Sequence, residues 1–294
     1  MSVHPDDKCL FHYTTFDSLQ KILQSRVVRA SDVRYQNDSS EYMYSVDLLA
    51  NHVAELTANG SLVGFEKVCL DSLVMRAQAS GSGEDSYIFC LSENENQLSQ
   101  WRGYSGGGGV AVGFGLNRLE ALAKLANASL VKCEYNRTVH EQGIADFVTK
   151  IRQDIAPHAN LPPVNAVKLF WWGPKGAKLG GRAEEFMRLA TSYKHPKFLE
   201  EAEWRLVAFG EESKRRVRIS VDGMPIPYVP ISIAESDHDN GVRLWHQVPI
   251  MRLILGPNSN AVAVERSTWA MFFAEDIIPP PLEQSGIPFR GALR

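Results

Sequence analysis

Apolar residues recur with two different periods along this chain. Residues 10–13 read as a short strand that runs into Thr14 and Thr15, and either threonine, or Asp17, can cap the helix that follows. In that helix Phe16, Leu19, Ile22 and Leu23 recur at the spacing of one helical face. A polar loop is expected over residues 30–42, and its Asn-Asp-Ser-Ser run predicts a turn that caps a helix from about residue 41. Helical patterns cover residues 41–57 and 63–78, parted by Asn59-Gly60, and residues 79–85 form a small-residue loop. Residues 86–92, SYIFCLS, read as a buried strand. A short helix or turn then carries Gln100, Trp101, Arg102 and Tyr104.

A second strand is predicted over residues 109–114, behind a glycine run that suits a flexible hairpin or lid. Residues 117–126 open on Asn-x-x-Glu, a capping-box pattern, and predict a helix; residues 130–135 predict a strand. Further helices are expected over residues 139–155, 165–172 and 182–193, with a break at the glycines of residues 173–181. Residues 195–209, HPKFLEEAEWRLVAF, alternate as a strand. Ala202, Trp204, Leu206 and Ala208 take one face; Glu201, Glu203, Arg205 and Val207 take the other. Strands over residues 214–220, 226–233 and 250–255, a helix over residues 261–275 and a proline-rich tail from about residue 278 complete the pattern. The expectation is a single α+β domain spanning residues 1–294, with helices clustered early and strands late.

Composition narrows the classes. Hydrophobic residues make up 44 % and charged residues 22 %, which excludes a disordered chain. A formal charge of −3 supplies no global basic field for nucleic acid, although Lys214, Arg215, Arg216 and Arg218 make a local run. On an edge strand such a run more often blocks aggregation than binds phosphate. Cys9, Cys69, Cys90 and Cys133 form no C-x-x-C pair, the N-terminal residues have no signal-peptide pattern, and no apolar stretch reaches spanning length. A cytoplasmic protein with free thiols and no membrane partner is expected.

The histidines and cysteines show no metal-ligand spacing, so no metal is expected. No phosphate-loop pattern accompanies the glycines, and no G-x-S-x-G elbow is present. What remains is three separated islands in which polar residues interrupt apolar strands: FHYT, FCLS with SQWRGY, and EAEWR. One sheet could bring them together. The plain reading of the last island is a solvated sheet face with a surface ion pair. The sharper one is a catalytic carboxylate, Glu203, able to hold ribose hydroxyls and stabilise oxocarbenium charge, with an arginine taking a diphosphate.

The motifs F-H-Y-T, D-x-R-Y-x-N-D-x-S-E, C-L-S-E, S-Q-W-R-G-Y-S, G-V-A-V-G-F, E-x-E-W-R and S-G-I-P-F-R, in this order over residues 11–290, resemble the bacterial domain of unknown function 2971 family. That family name carries no function. The order of histidine on a first strand, serine on a middle strand and glutamate on a late strand is similar to NAD-dependent ADP-ribosyltransferases. That second resemblance implies a split mixed β-sheet that clamps NAD. His12 with Thr14 matches an H-x-T pattern, and Ser92 matches the middle-strand serine, although Cys90 stands where a first hydroxyl is usual. Glu201-Ala202-Glu203 matches E-x-E, which implies Glu203 as the catalytic carboxylate and Glu201 as the group that positions or deprotonates the acceptor.

The resemblance further implies that His12, Tyr13, Thr14 and Ser92 bind NAD as co-substrate, with Trp101 or Tyr104 stacking on nicotinamide. Arg34 and Arg102 have no counterpart there; their chemistry suits diphosphate contacts. The expected activity is ADP-ribosyl transfer to a protein or nucleic-acid acceptor, as in a bacterial toxin or phage-defence effector. Three other readings stand beside it. The chain could be an NAD glycohydrolase, or a non-catalytic nucleotide-binding sensor. Its polar motifs could also be structural, with Arg205 paired to Glu201 and Arg102 buried against a carbonyl.

Overall fold

A computed structural model describes residues 8–36, 40–79, 86–106, 108–162, 164–165, 176–209, 214–220, 223–234, 248–258 and 260–288. They divide between two compact units. The first draws on Met1–Ala30, Ile88–Val131 and Glu201–Arg294; the second draws on Ser31–Tyr87 and Lys132–Glu200.

The first unit is built on a mixed sheet. Its strands are β1 (Cys9–Thr14), β2 (Val27–Asp32), β3 (Ser86–Ser92), β4 (Val110–Gly115), β5 (Ala128–Lys132), β6 (Glu203–Phe209), β7 (Arg216–Ile219), β8 (Pro225–Ser232), β9 (Ile250–Leu255) and β10 (Leu282–Gln284). The order along the sheet is β10-β9-β4-β1-β3-β2-β8-β7, and β6 pairs with both β3 and β5. β1 lies antiparallel to β4 through six aligned pairs, from Cys9 opposite Gly115 to Thr14 opposite Val110. β4 lies antiparallel to β9, with a bulge between Gly113 and Phe114, and β9 runs parallel to β10. β1 also meets β3, and Phe11 lies opposite Ser92 in their antiparallel pairing.

β4 and the middle of β3 are buried on both faces, which is why they read as unbroken apolar runs. α1 (Phe16–Ser25) buries Leu19, Ile22 and Leu23, and the Thr15 hydroxyl caps it by accepting from the Ser18 N–H at 3.2 Å. α4 (Leu98–Tyr104) and α5 (Leu116–Leu125) flank β4 in the chain, and α8 (Ala261–Ala274) follows β9.

The second unit is helical: α2 (Ser40–Ala58), α3 (Gly64–Gln78), α6 (Arg137–Ile155) and α7 (Gly176–Ser192). Its core gathers Leu49, Leu70, Phe147, Ile151 and Phe186. His140 is fully buried there, its Nε2–H donated to the Glu134 carbonyl at 2.8 Å and its Nδ1 accepting from Tyr44 Oη at 2.9 Å. The ring stacks on Tyr193 at 4.3 Å.

Several elements differ from the sequence expectation. β2 and a 3-10 turn at Val33–Tyr35 occupy most of the expected polar loop, since Ser31 and Asp32 are buried strand residues. The N-D-S-S turn lies mostly outside the described residues. α5 begins at Leu116 after Gly115 and has no side-chain cap, so the Asn117 capping box does not form. α7 passes through Gly180 and Gly181, where a break was expected; the expected helix over residues 165–172 lies almost wholly outside the described residues. The late strand starts only at Glu203, preceded by a 3-10 helix at Pro196–Glu201. The proline-rich tail contributes β10. The sheet also overturns the early-helix, late-strand order, because β1–β4 supply its middle. No described helix is long and apolar enough to cross a membrane.

Candidate functional site

A pocket with about 350 Å³ of empty space, its open mouth included, lies where β1, β3 and the start of β6 meet. Its lining comes from three remote parts of the chain: Phe11, His12 and Tyr13; Cys90, Leu91 and Ser92 with Gln100 and Tyr104; Glu201 and Glu203. All belong to the first unit.

Glu203 opens β6 and is only 4 % exposed, and Arg205, two residues on and on the same strand face, is 1 % exposed. Arg205 Nε donates to Glu203 Oε1 at 2.9 Å and Nη2 to Oε2 at 3.1 Å, a two-point pair. The solvated face expected here is therefore buried at these two residues, and Arg205 holds Glu203. A buried carboxylate is tolerable only with such a partner.

Glu201 ends the 3-10 helix and is half-buried, and Ala202 between the two carboxylates takes a left-handed φ of 42°. That turn separates Glu201 from the strand while keeping both carboxylates on the pocket. Ser92 fixes the turn. Its hydroxyl donates to the Glu201 carbonyl at 2.6 Å and accepts from the Asn94 N–H at 3.0 Å. One residue on, the Glu93 N–H donates to the Ala202 carbonyl at 3.0 Å. Ser92 thus spends its hydroxyl on backbone, positioning the Glu201–Glu203 segment.

His12 Nδ1 lies 2.9 Å from the Cys90 carbonyl, which only accepts, so the proton is on Nδ1 and Nε2 carries the lone pair. Burial pulls its pKa down to about 4, with the Cys90 hydrogen bond opposing, so the ring is neutral at ordinary pH. The ring packs at 4.2 Å from Phe89.

Tyr13 Oη donates to the Asn94 carbonyl at 2.7 Å and accepts from the Gln97 N–H at 3.0 Å, which stitches the β3–α4 loop to β1. Burial, the largest influence, pushes its pKa up to about 12, so it stays a donor. Trp101 is fully buried with Phe11, Tyr13, Ala111 and Ile254, and its indole N–H donates to Asn96 Oδ1 at 2.9 Å. Trp101 and Tyr13 thereby anchor α4, while Tyr104, 40 % exposed, and Gln100 turn to the pocket.

Four expected site residues are not on the pocket lining, and the first is Trp101, which is fully buried in the apolar cluster and is not placed to stack on a ligand. Thr14 is buried at the end of β1. Arg102 is exposed on α4, so it is not the buried arginine of the structural reading. Arg34 belongs to the second unit, where Nε and Nη2 pair with the buried Asp32 carboxylate at 2.9 and 2.5 Å.

Gln100 was not among the residues singled out from the sequence for a role. Its position four residues before Tyr104 on one helix was the available signal. Residues 106–109 do not make a lid at their C-terminal end: Gly109 is buried, its carbonyl accepts from the Gly256 N–H at 2.8 Å, and its φ of 120° is one that glycine alone adopts readily. Gly107 lies outside the described residues. Among those residues no cluster of His, Cys, Asp and Glu could hold a metal ion. The pocket can hold a neutral polar ligand: it offers fixed carboxylates, an imidazole lone pair, an amide and aromatic edges.

The family model described as "Protein of unknown function (DUF2971)" matches residues 100–206, a span that begins at Gln100 and ends just past Arg205, and the match supports the family resemblance. No curated protein and no solved structure matches the chain.

Proposed function

We propose that this chain is an NAD-dependent ADP-ribosyltransferase acting on a macromolecular acceptor. The observation that carries the reading is the meeting of Glu203, Glu201 and His12, from distant parts of the chain, around one pocket. The pocket adjoins two strands, β1 and β3, that share the Phe11–Ser92 pair. We read the β1–β3 junction beside the pocket as the split of an ADP-ribosyltransferase-type sheet. In this reading the nicotinamide riboside portion lies against the pocket lining, and the rest of the dinucleotide extends outside it.

In this reading Glu203, paired with and oriented by Arg205, accepts from a ribose hydroxyl of the nicotinamide riboside. Its charge stabilises the oxocarbenium ion that forms as the glycosidic C–N bond breaks. The bonding pair leaves with nicotinamide. A lone pair on the acceptor's oxygen or nitrogen forms the new bond to the same carbon, and Glu201 takes the acceptor's proton. His12 Nε2 accepts from a second hydroxyl, and Ser92, Tyr13 and Trp101 act by positioning. The protein would serve as a cytoplasmic bacterial toxin or phage-defence effector.

The test is nicotinamide release and label transfer from NAD, with protein, RNA and DNA acceptors, for wild type and Glu203→Gln. Release and transfer by the wild type, lower by about 100-fold or more in Glu203→Gln, are expected. Thermal midpoints verify that the variant is folded. Equal release by both proteins, or none by the wild type, ends the reading. Free ADP-ribose without labelled macromolecule would make the enzyme a glycohydrolase, and NAD binding without release would make the chain a sensor.

A further inference from the structure

α4 has two faces with different tasks. Trp101 and Ser105 point inward: Trp101 fills the apolar cluster, and the Ser105 hydroxyl donates to the Trp101 carbonyl at 2.6 Å. Gln100 and Tyr104, one helical turn apart, line the pocket. Gln100 is 6 % exposed, yet among the described residues its side-chain amide makes no hydrogen bond. Buried amides are rarely left so, and one that faces a pocket is available to a ligand.

The other polar groups there mostly accept. Glu203 and Glu201 are carboxylates, and the N–H of His12 is given to the Cys90 carbonyl. The hydroxyls of Ser92 and Tyr13 are donated to the carbonyls of Glu201 and Asn94. Gln100 adds N–H donors to this set, together with an acceptor in the same plane.

We infer that the Gln100 amide is a specificity-determining contact that reads a planar ligand edge carrying a donor and an acceptor side by side. Its N–H donates to the ligand's acceptor and its oxygen accepts from the ligand's N–H, while the Tyr104 ring offers a surface on which a flat group can lie. The choice of ligand rests on the NAD reading above, and NAD carries such an edge twice, at the adenine N6/N7 positions and at the nicotinamide carboxamide.

Calorimetric titration of the full chain with three dinucleotides tests the inference. They are NAD, its nicotinic acid analogue (carboxylate for carboxamide) and its hypoxanthine analogue (oxo group for the adenine amino group). The wild type is expected to bind NAD and to bind one analogue about 10-fold or more weaker, and the penalised analogue identifies the edge. Gln100→Met is expected to bind all three within about threefold of one another, and Gln100→Glu, which lacks the donors, to lose about 10-fold for NAD. A wild type that binds the three alike, or binds none, overturns the inference. So does discrimination that persists in a folded Gln100→Met. Intact discrimination without nicotinamide release would remove the transferase and leave the role of Gln100 standing.

Discussion

Glu203 and Arg205 illustrate how burial changes the meaning of a residue pattern. In the sequence, E-x-E-W-R is a run of charges on one strand face; in the fold, its last two charges are removed from water and bound to each other. Removing one partner of such a pair costs about 3–5 kcal/mol, which is why Glu203→Gln, retaining an acceptor for the guanidinium, is the usable variant. His12 shows the same influence on a titratable group. Its folded pKa of about 4 lies below the ordinary 6.5, mainly through burial. As pH falls from 6.5 towards 4 the unfolded chain binds a proton that the native chain refuses. The stability tied to His12 is therefore complete above that window and is lost across it. Imidazole NMR resonances assigned to His12 should titrate with a midpoint near 4; a midpoint near 6.5 would contradict the burial.

β1 is the element that organises the site. Along one edge it holds β4 through six pairs, and along the other it meets β3 at Phe11 opposite Ser92. Its firm edge depends on Gly109. A Cβ there would lie 2.4 Å from the Thr14 carbonyl oxygen, a backbone atom, and would require an alanine at φ 120°. Gly109→Ala should cost about 3 kcal/mol or more in chemical denaturation, strain and backbone displacement combined. A loss below 1 kcal/mol, on the order of a surface substitution, would mean that the β4 entry yields freely. β6 presents the opposite case. Its start is set by Ala202, whose left-handed turn follows from the Ser92 and Glu93 hydrogen bonds around it and has no glycine or asparagine to announce it.

Each unit is assembled from discontinuous stretches of chain, three in the first and two in the second. The matched family segment, residues 100–206, contains β4, β5 and the first part of β6 but lacks β1 and β9, which flank β4, and β3, which pairs with β6. Expressed alone, that segment should lack the cooperative unfolding and dispersed amide spectrum of the full chain, because its strands would expose unpaired backbone. A cooperative thermal transition from the isolated segment would show that its own contacts suffice.

Local pattern was enough to locate the strongly apolar strands Ser86–Ser92 and Ile250–Leu255, the stripe of α1 and the polar interruptions at His12, Ser92 and Glu203. These depend on side-chain type at short range. Long-range contacts determined the rest. β2 is a strand through its partners, although it ends on Ser31 and Asp32, and α7 tolerates two glycines that in isolation would break it. The sequence contains the carboxylates, the imidazole and the amide; pairing between distant strands puts them around one pocket. Burial then decides which groups are committed to their neighbours, as Ser92 and Tyr13 are, while Gln100 lines the pocket.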